Sequence, residues 1–318
     1  MKSSRLLHAV LALLITSLAC SLQAAPAATP TARPSLTPIA SLTLIPSFTA
    51  IPVTFTATLT ATATVPAFTT PVISGAPSGP YAVVLVEAGD VLNIRSGPGA
   101  GNPVVGSFPP SARDVMRTGS SFVAADGGLW VEVQIPNGGR GWVNSKFLTE
   151  YVAPSTFCAD SRVTTFLAEF RIAILTGDGE ALSEMVSPTH GMDVWLWNSG
   201  NAINYDAEHA RFMFESTFVH NWGAHPASGQ DTKGSFHEVV LPDLVDAFNT
   251  SFESRCNDEV VSIYGDPWPA RYSNVNFYQI YHPGTAGVEL DWIVWLIGVE
   301  NVGGRPYIFS LIHFIWTP

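Results

Sequence analysis

From Ser21 to Pro80 the sequence carries a single charged side chain, Arg33, and is otherwise Thr, Ala, Pro, Ser and scattered aliphatics. Proline recurs at Pro26, Pro30, Pro34, Pro38, Pro46, Pro52, Pro66 and Pro71. Each ring fixes φ and removes a backbone donor, which excludes continuous helix or strand. A disordered, Thr/Pro/Ala-rich tether over 21–80 is therefore expected, spanning roughly 180 Å as polyproline II or roughly 40 Å as a flexible coil. Basic residues are also scarce, with 15 Lys and Arg against 26 Asp and Glu and a net charge of −11. Beyond Glu150 the imbalance sharpens to 20 acids and 7 bases, a field that repels phosphate backbones and excludes nucleic acid as a partner. The chain has no Gly-x-Ser-x-Gly elbow, phosphate loop or dinucleotide fingerprint, so no enzyme class announces itself by motif.

What is present begins at the N-terminus. Lys2 and Arg5 precede an apolar stretch, Leu6 to Ala19, that is too short for an ordinary spanning helix and has the form of a secretory signal. The stretch ends in Ser17-Leu18-Ala19-Cys20, which resembles the bacterial lipobox. The resemblance implies that Cys20 is lipidated and becomes the new N-terminus, holding the protein to a membrane on the outer side. Ser17 departs from the usual leucine. Two alternatives stand beside this reading: cleavage near Leu22-Gln23-Ala24, which would release the protein, and an uncleaved signal anchor. With Cys20 so used, Cys158 and Cys256 remain as a candidate disulfide in an oxidising compartment, the alternative being two free thiols.

Between Tyr81 and Tyr151 short apolar runs alternate with glycine: Ala82–Val86, Val91–Ile94, Val104–Phe108, Ala112–Met116, Trp130–Ile135 and Gly141–Val143. Such spacing predicts a small all-β sandwich or barrel, with Asn137-Gly138-Gly139 as a hairpin turn. Leu92-Asn93-Ile94-Arg95-Ser96-Gly97-Pro98-Gly99, Gly128-Leu129-Trp130-Val131-Glu132-Val133, Gly141-Trp142-Val143 and Phe147-Leu148 resemble the bacterial SH3 domain. That resemblance implies an SH3-like barrel of five to seven strands, a module that often targets cell-wall peptides or other envelope polymers. Within it Leu92, Ile94, Val131, Val133 and Val143 point inward, Trp130 and Trp142 cap the core, and Asn93 and Arg95 hold the turn. An aromatic-lined groove is the expected ligand surface, with Tyr81, Phe122 and Trp142 as its residues. The segment Thr118–Gly128 is longer than the family needs, and is expected to reshape or cover that groove.

From Cys158 onward the signals change. Val163, Phe166, Leu167, Phe170, Ala173 and Ile174 recur at helical spacing, followed by Gly177-Asp178-Gly179 and a second short helix near Ala181–Val186. Further helices are expected after Asp206, a candidate N-cap, and after Pro242. Strands are expected at Gly191–Trp197, Val260–Tyr264, Val275–Tyr281, Leu290–Val299 and Pro306–Trp316, the last two joined through Asn301-Val302-Gly303-Gly304. Helices first and long strands last predict an α+β domain with a curved antiparallel sheet over 156–318. The Phe166–Val186 segment is similar to the opening of the nuclear transport factor 2-like cone fold, which would enclose a pocket. His220, His225 and His237 lie near Asp231, but no spacing among them matches a diagnostic metal or acid–base set, and a loop of ordinary histidines is the simpler reading. In period-two strands Trp195 and Trp197 should share a side, while Trp292 and Trp295 should oppose one another.

These readings describe a multidomain exported protein: signal over 1–20, tether over 21–80, SH3-like barrel over 81–151 and an α+β domain over 156–318. The expected role is binding of cell-wall polymer or an envelope protein without catalysis, and no catalytic residue, metal or cofactor is assigned. A hydrolase with its site in the C-terminal pocket and a purely structural surface protein are the rival readings.

Overall fold

The computed structural model describes residues 79–258, 268–288 and 291–315. The signal, Cys20, the tether up to Ser78, the expected strand Val260–Tyr264 and Trp316 lie outside the described residues. The first described unit is built from β1 (Tyr81–Val83), β2 (Leu92–Arg95), β3 (Val104–Phe108), β4 (Arg117–Val123), β5 (Leu129–Gln134), β6 (Arg140–Asn144) and β7 (Leu148–Glu150). Five of them form an antiparallel sheet in the order β3-β2-β6-β5-β4. Strand alternation sends Leu92 and Ile94 of β2, Val131 and Val133 of β5 and Val143 of β6 into a core shared with Tyr81, Val86, Phe108 and Val115. The β5–β6 turn at Gly138 and Gly139 has φ of +94° and +89°, where a side chain would be strained. Two expectations are corrected. The run Ala112–Met116 contributes only an isolated bridge between Val115 and Tyr81. The segment Thr118–Gly128 is no covering insertion: most of it is the edge strand β4, paired with β5 through Ser121–Val131, Phe122–Trp130 and Val123–Leu129.

The chain then forms α1 (Pro154–Ala159), α2 (Ser161–Thr176), α3 (Gly179–Met185), β8 (Met192–Trp195), β9 (Ile203–Tyr205), α4 (Ala207–Arg211), β10 (His220–Ala224), β11 (Asp231–Gly234), α5 (Phe236–Val239), α6 (Leu241–Asn249), β12 (Glu253–Cys256), β13 (Asn276–His282), β14 (Ile293–Val302) and β15 (Arg305–Ile315). In α2 the Asp160 side chain caps the first turn, and Gly177 in the left-handed region closes the last. Val163, Phe166, Phe170, Ala173 and Ile174 make its buried face. Gly179 is required by a close approach, since a Cβ there would lie 2.0 Å from the Arg211 carbonyl oxygen. A disulfide joins Cys158 of α1 to Cys256 of β12.

Strands β12, β13, β14 and β15 are antiparallel, but β8 runs parallel to β15, through Ser310–Asp193 and Ile312–Trp195, so the curved sheet is mixed. The expectation of a wholly antiparallel sheet fails because β8 reaches the sheet by way of the helices α2 and α3, a crossover that permits parallel entry. The sheet is buried on both faces. Trp295, Ile297, Tyr278 and Leu311 pack under the helices. Val294, Leu296, Phe277, Phe309 and Ile312 pack on the other side against Trp268, Tyr272 and Val84 of the barrel segment. Two-sided burial accounts for the unbroken apolar run Ile293–Ile297. It also separates Trp195 from Trp197. Strand β8 ends at Trp195, which packs with the second cluster, and the chain turns so that Trp197 enters the helix-side core.

The barrel and the mixed sheet share a seam. Strand β7 pairs with the end of β14 at Glu150–Asn301, so β1 and β7 extend the larger sheet. The Glu150 carboxylate accepts the N–H groups of Gly303 (2.7 Å) and Gly304 (3.0 Å). Beneath it the Glu300 carboxylate, 3% exposed, accepts from Thr149 Oγ1 (2.7 Å) on the barrel side and from Ser187. It also meets His190 Nδ1 at 2.7 Å, and His190 Nε2 faces the Lys146 carbonyl at 3.1 Å. Asn274 completes the seam, donating through Nδ2 to Val83 O (2.7 Å) and Pro110 O (2.9 Å) while accepting from Arg113 Nε (2.8 Å). A buried carboxylate survives only when its partners replace water, and removing one partner is costly. His190→Ala, which removes one of the three partners of that carboxylate, should lower the unfolding free energy by about 1–3 kcal/mol. Urea unfolding followed by tryptophan fluorescence measures this; a loss under about 1 kcal/mol would mean the network does not hold the seam.

Candidate binding groove

The alternation that buries Leu92, Ile94, Val131 and Val133 turns Asn93, Arg95, Trp130 and Glu132 to the outer face of the barrel sheet. Register brings Asn144 beside Trp130, and Trp142 beside both Glu132 and Arg95. The segment from Leu85 to Val91 folds along this face and leaves a groove of about 330 Å³. Trp130, Val91 and Phe147 give it apolar walls; Asn93, Arg95 and Asn144 supply polar groups; Glu87 and Asp90 stand among its lining carboxylates. Trp130 is only 5% exposed.

The groove is shaped from both sides. Arg95 Nη1 donates to Asn102 O (2.7 Å), and Asn102 Nδ2 donates to Pro98 O (2.8 Å), which fixes the loop after β2. Arg95 thus holds the turn as its position implied, whereas Asn93 is exposed and lines the groove. On the other side Leu85 adopts φ +60°, and its N–H donates to the Arg271 carbonyl at 2.8 Å. The Arg271 guanidinium faces Glu87 at 3.5 Å, lies 5.1 Å from the Trp195 ring centre, and donates to the Tyr272 hydroxyl at 3.0 Å. Tyr272 also hydrogen-bonds Asp193, and burial, reinforced by that carboxylate, pushes its phenol well above the ordinary range. Residues of the second unit therefore hold the segment that roofs the groove.

The three aromatic residues expected to bind ligand are not brought together. Tyr81 is 6% exposed in the barrel core, with its hydroxyl accepting from Arg117 Nη1 at 3.0 Å. Phe122 is 51% exposed on the edge strand β4. Trp142 is half-buried on the outer face, and none of the three lines the groove. Trp130, read from sequence as a core cap, is the groove's tryptophan. The signal for it was present: the inward alternation of Val131 and Val133 places Trp130 outward. The contribution of Leu85 and Phe147 had no such signal, because it depends on how Arg271 draws a distant segment across the sheet.

The C-terminal histidines occupy separate environments. His220 sits among the Tyr205, Phe218 and Trp222 rings, and burial lowers its pKa. His225 Nδ1 accepts from Ala227 N (3.1 Å) in the β10–β11 turn, His237 is exposed on α5, and Asp231 accepts from Asn221 Nδ2 (3.0 Å). Among the described residues no group of three or more His, Cys, Asp and Glu side chains is placed to hold a metal ion. Trp222 of β10 is fully buried and donates to Gly234 O at 2.9 Å.

His313 had no signal in the sequence. It is 1% exposed and stacks on Trp295, with ring centres 4.4 Å apart and planes within 6°. Burial pushes its pKa down to about 3, opposed weakly by the Leu196 backbone, while the Asp243 carboxylate 3.9 Å away is itself pushed up by burial and by Asp246. The unfolded chain binds a proton at this side chain below about pH 6.5 and the native protein does not, so His313 costs stability as pH falls through that value toward about 3. His313→Phe should flatten the decline in unfolding free energy between about pH 6.5 and 5 by up to about 1.4 kcal/mol per pH unit. Urea titrations of both proteins at several pH values test this; parallel pH profiles would exclude His313 as the cause.

Comparison with known proteins finds a match to the family model described as a bacterial SH3 domain, over residues 90–149. No curated protein and no solved structure matches the chain. The matched residues run from the lip of the groove through β7, and they contain the outward-facing Asn93, Arg95, Trp130 and Asn144; residues 90–149 of this chain are a bacterial SH3 domain.

Proposed function

We propose that this is an exported, lipid-anchored envelope protein that binds cell-wall polymer through the outer groove of its SH3 domain, without catalysing a reaction. The observation that carries the reading is the groove itself. An indole wall, two amide side chains and a guanidinium border a volume of about 330 Å³, a combination suited to a polar chain that offers both apolar faces and hydrogen-bonding edges. Lipidation at Cys20 would fix the protein to the membrane, and the Thr/Pro-rich stretch would set the reach of the groove toward wall polymer. The acidic balance of the chain disfavours anionic polymers as the ligand. A protein partner displayed in the envelope is the other occupant that this chemistry admits.

The test is sedimentation of the full chain with cell-wall sacculi from the source organism, together with Val91→Asp and Asn93→Ala. Both positions are exposed, so each change should alter stability by about 0.5 kcal/mol or less. Pelleting by the parent protein and at least about tenfold weaker pelleting by Val91→Asp is the expected result, corresponding to about 1.4 kcal/mol of lost binding. Failure of the parent to pellet would overturn wall binding; undiminished pelleting of both variants would overturn the groove as its site. Incorporation of radiolabelled palmitate by the parent chain and its loss in Cys20→Ala test the anchor.

A further inference from the structure

A second cavity, of about 210 Å³, opens at the seam between the SH3 domain and the mixed sheet, away from the outer groove. Its apolar walls come from both sides: Leu129, Val131 and Leu148 from the barrel, and Val302 from the end of β14. Three carboxylate or cationic groups line it besides His190, and they differ in how their bonding capacity is used. Glu150 is engaged by two backbone N–H groups, and Glu300 by His190, Thr149 and Ser187. Arg117 is not similarly engaged. Its Nη1 donates to Tyr81 and its guanidinium lies 4.9 Å from the Tyr81 ring centre, but its Nε is buried without a hydrogen-bond partner, and no carboxylate among the described residues pairs with it.

A guanidinium with no anionic partner is best met by a carboxylate, which accepts its N–H groups in charge-assisted hydrogen bonds. The cavity is smaller than the roughly 300–1,000 Å³ of sites that enclose a drug-sized molecule, so it suits the end of a chain. We propose that the seam cavity is a binding site for a small carboxylate carrying a short aliphatic body, such as the free C-terminus of a peptide, with Arg117 taking the carboxylate and Leu129, Val131, Leu148 and Val302 enclosing the aliphatic part. The carboxylate accepts from Nη2 of Arg117, leaving Nη1 on the Tyr81 hydroxyl. Because both units build the walls, ligand bound there strengthens their attachment. This site stands independently of the outer groove and of wall binding.

Ligand-observed NMR titration of the full chain tests the proposal, using N-acetylalanine as the carboxylate probe and N-acetylalanine amide as its uncharged counterpart. The acid should bind at least about tenfold more tightly than the amide, as expected when a charge-assisted contact is lost. Arg117→Met should remove that preference. Leu129→Trp, which leaves Arg117 in place and fills the cavity from an exposed position, should abolish binding of the acid, and it decides the matter if Arg117→Met fails to fold. Equal binding of acid and amide, no binding of the acid at up to about 10 mM (a dissociation constant worth less than about 3 kcal/mol), or undiminished binding by Leu129→Trp would each overturn the proposal.

Discussion

The buried carboxylate of Glu300 is the constraint around which the two units are organised. It ends the apolar run of β14, is cut off from solvent, and draws its three hydrogen-bond partners from two places: Thr149 on the barrel strand β7, and Ser187 and His190 between α3 and β8. Moving the barrel away would leave that charge without one of its donors and would uncover the hairpin amides that Glu150 accepts. Burial of a charge is therefore tied to the relative placement of two folding units, which apolar contact alone would specify less sharply. Asn274 acts in the same sense. Its one amide answers carbonyls of Val83 and Pro110, acceptors that the barrel's own ladder leaves open at this end.

The same attachment shapes the outer groove. A bacterial SH3 domain supplies the sheet, the alternation and the Trp130 side chain, but the strip from Leu85 to Glu87 lies over that sheet because Arg271 of the second unit holds its backbone and its carboxylate. Tyr272, Trp195 and Asp193 then hold Arg271. The outer groove is thus a property of the joined units. It also explains why the second unit buries both faces of its sheet: the face away from the helices carries the Trp268, Tyr272 and Phe309 cluster, against which Val84 of the barrel packs.

Strand alternation made the barrel readable. Leu92, Ile94, Val131, Val133 and Val143 fall on one side by period two alone, and the Gly138–Gly139 turn is recognisable because its residues tolerate positive φ. Helix α2 was readable from its 3.6-residue apolar spacing and the Gly177 that follows it, while its capping Asp160 was not singled out. The parallel placement of β8 was not, since local sequence specifies a strand and not its neighbour. Nor was the separation of Trp195 from Trp197, which follows from a strand that stops two residues earlier than its apolar pattern. The expected trio of Tyr81, Phe122 and Trp142 assumed that aromatics in one barrel share a surface. Tyr81 instead fills the core, Phe122 lies on an edge strand, and Trp142 lies on the outer face beside the groove without lining it.

Local pattern by itself determined that this chain has a small β unit with glycine-marked turns followed by a unit of helices and long strands, because periodicity and turn residues act over a few residues and leave their mark in the order of the chain; the motifs that resemble the bacterial SH3 domain named the first of them. Tertiary structure alone decided where the groove and the seam cavity lie. Arg271 lies far along the chain from the groove strip it holds, Glu300 far from Thr149, and Val302 far from the Arg117 cavity it encloses. Such pairings arise when buried charges and unpaired amides find partners across a seam, an outcome set by packing in three dimensions and carried by no spacing in the sequence.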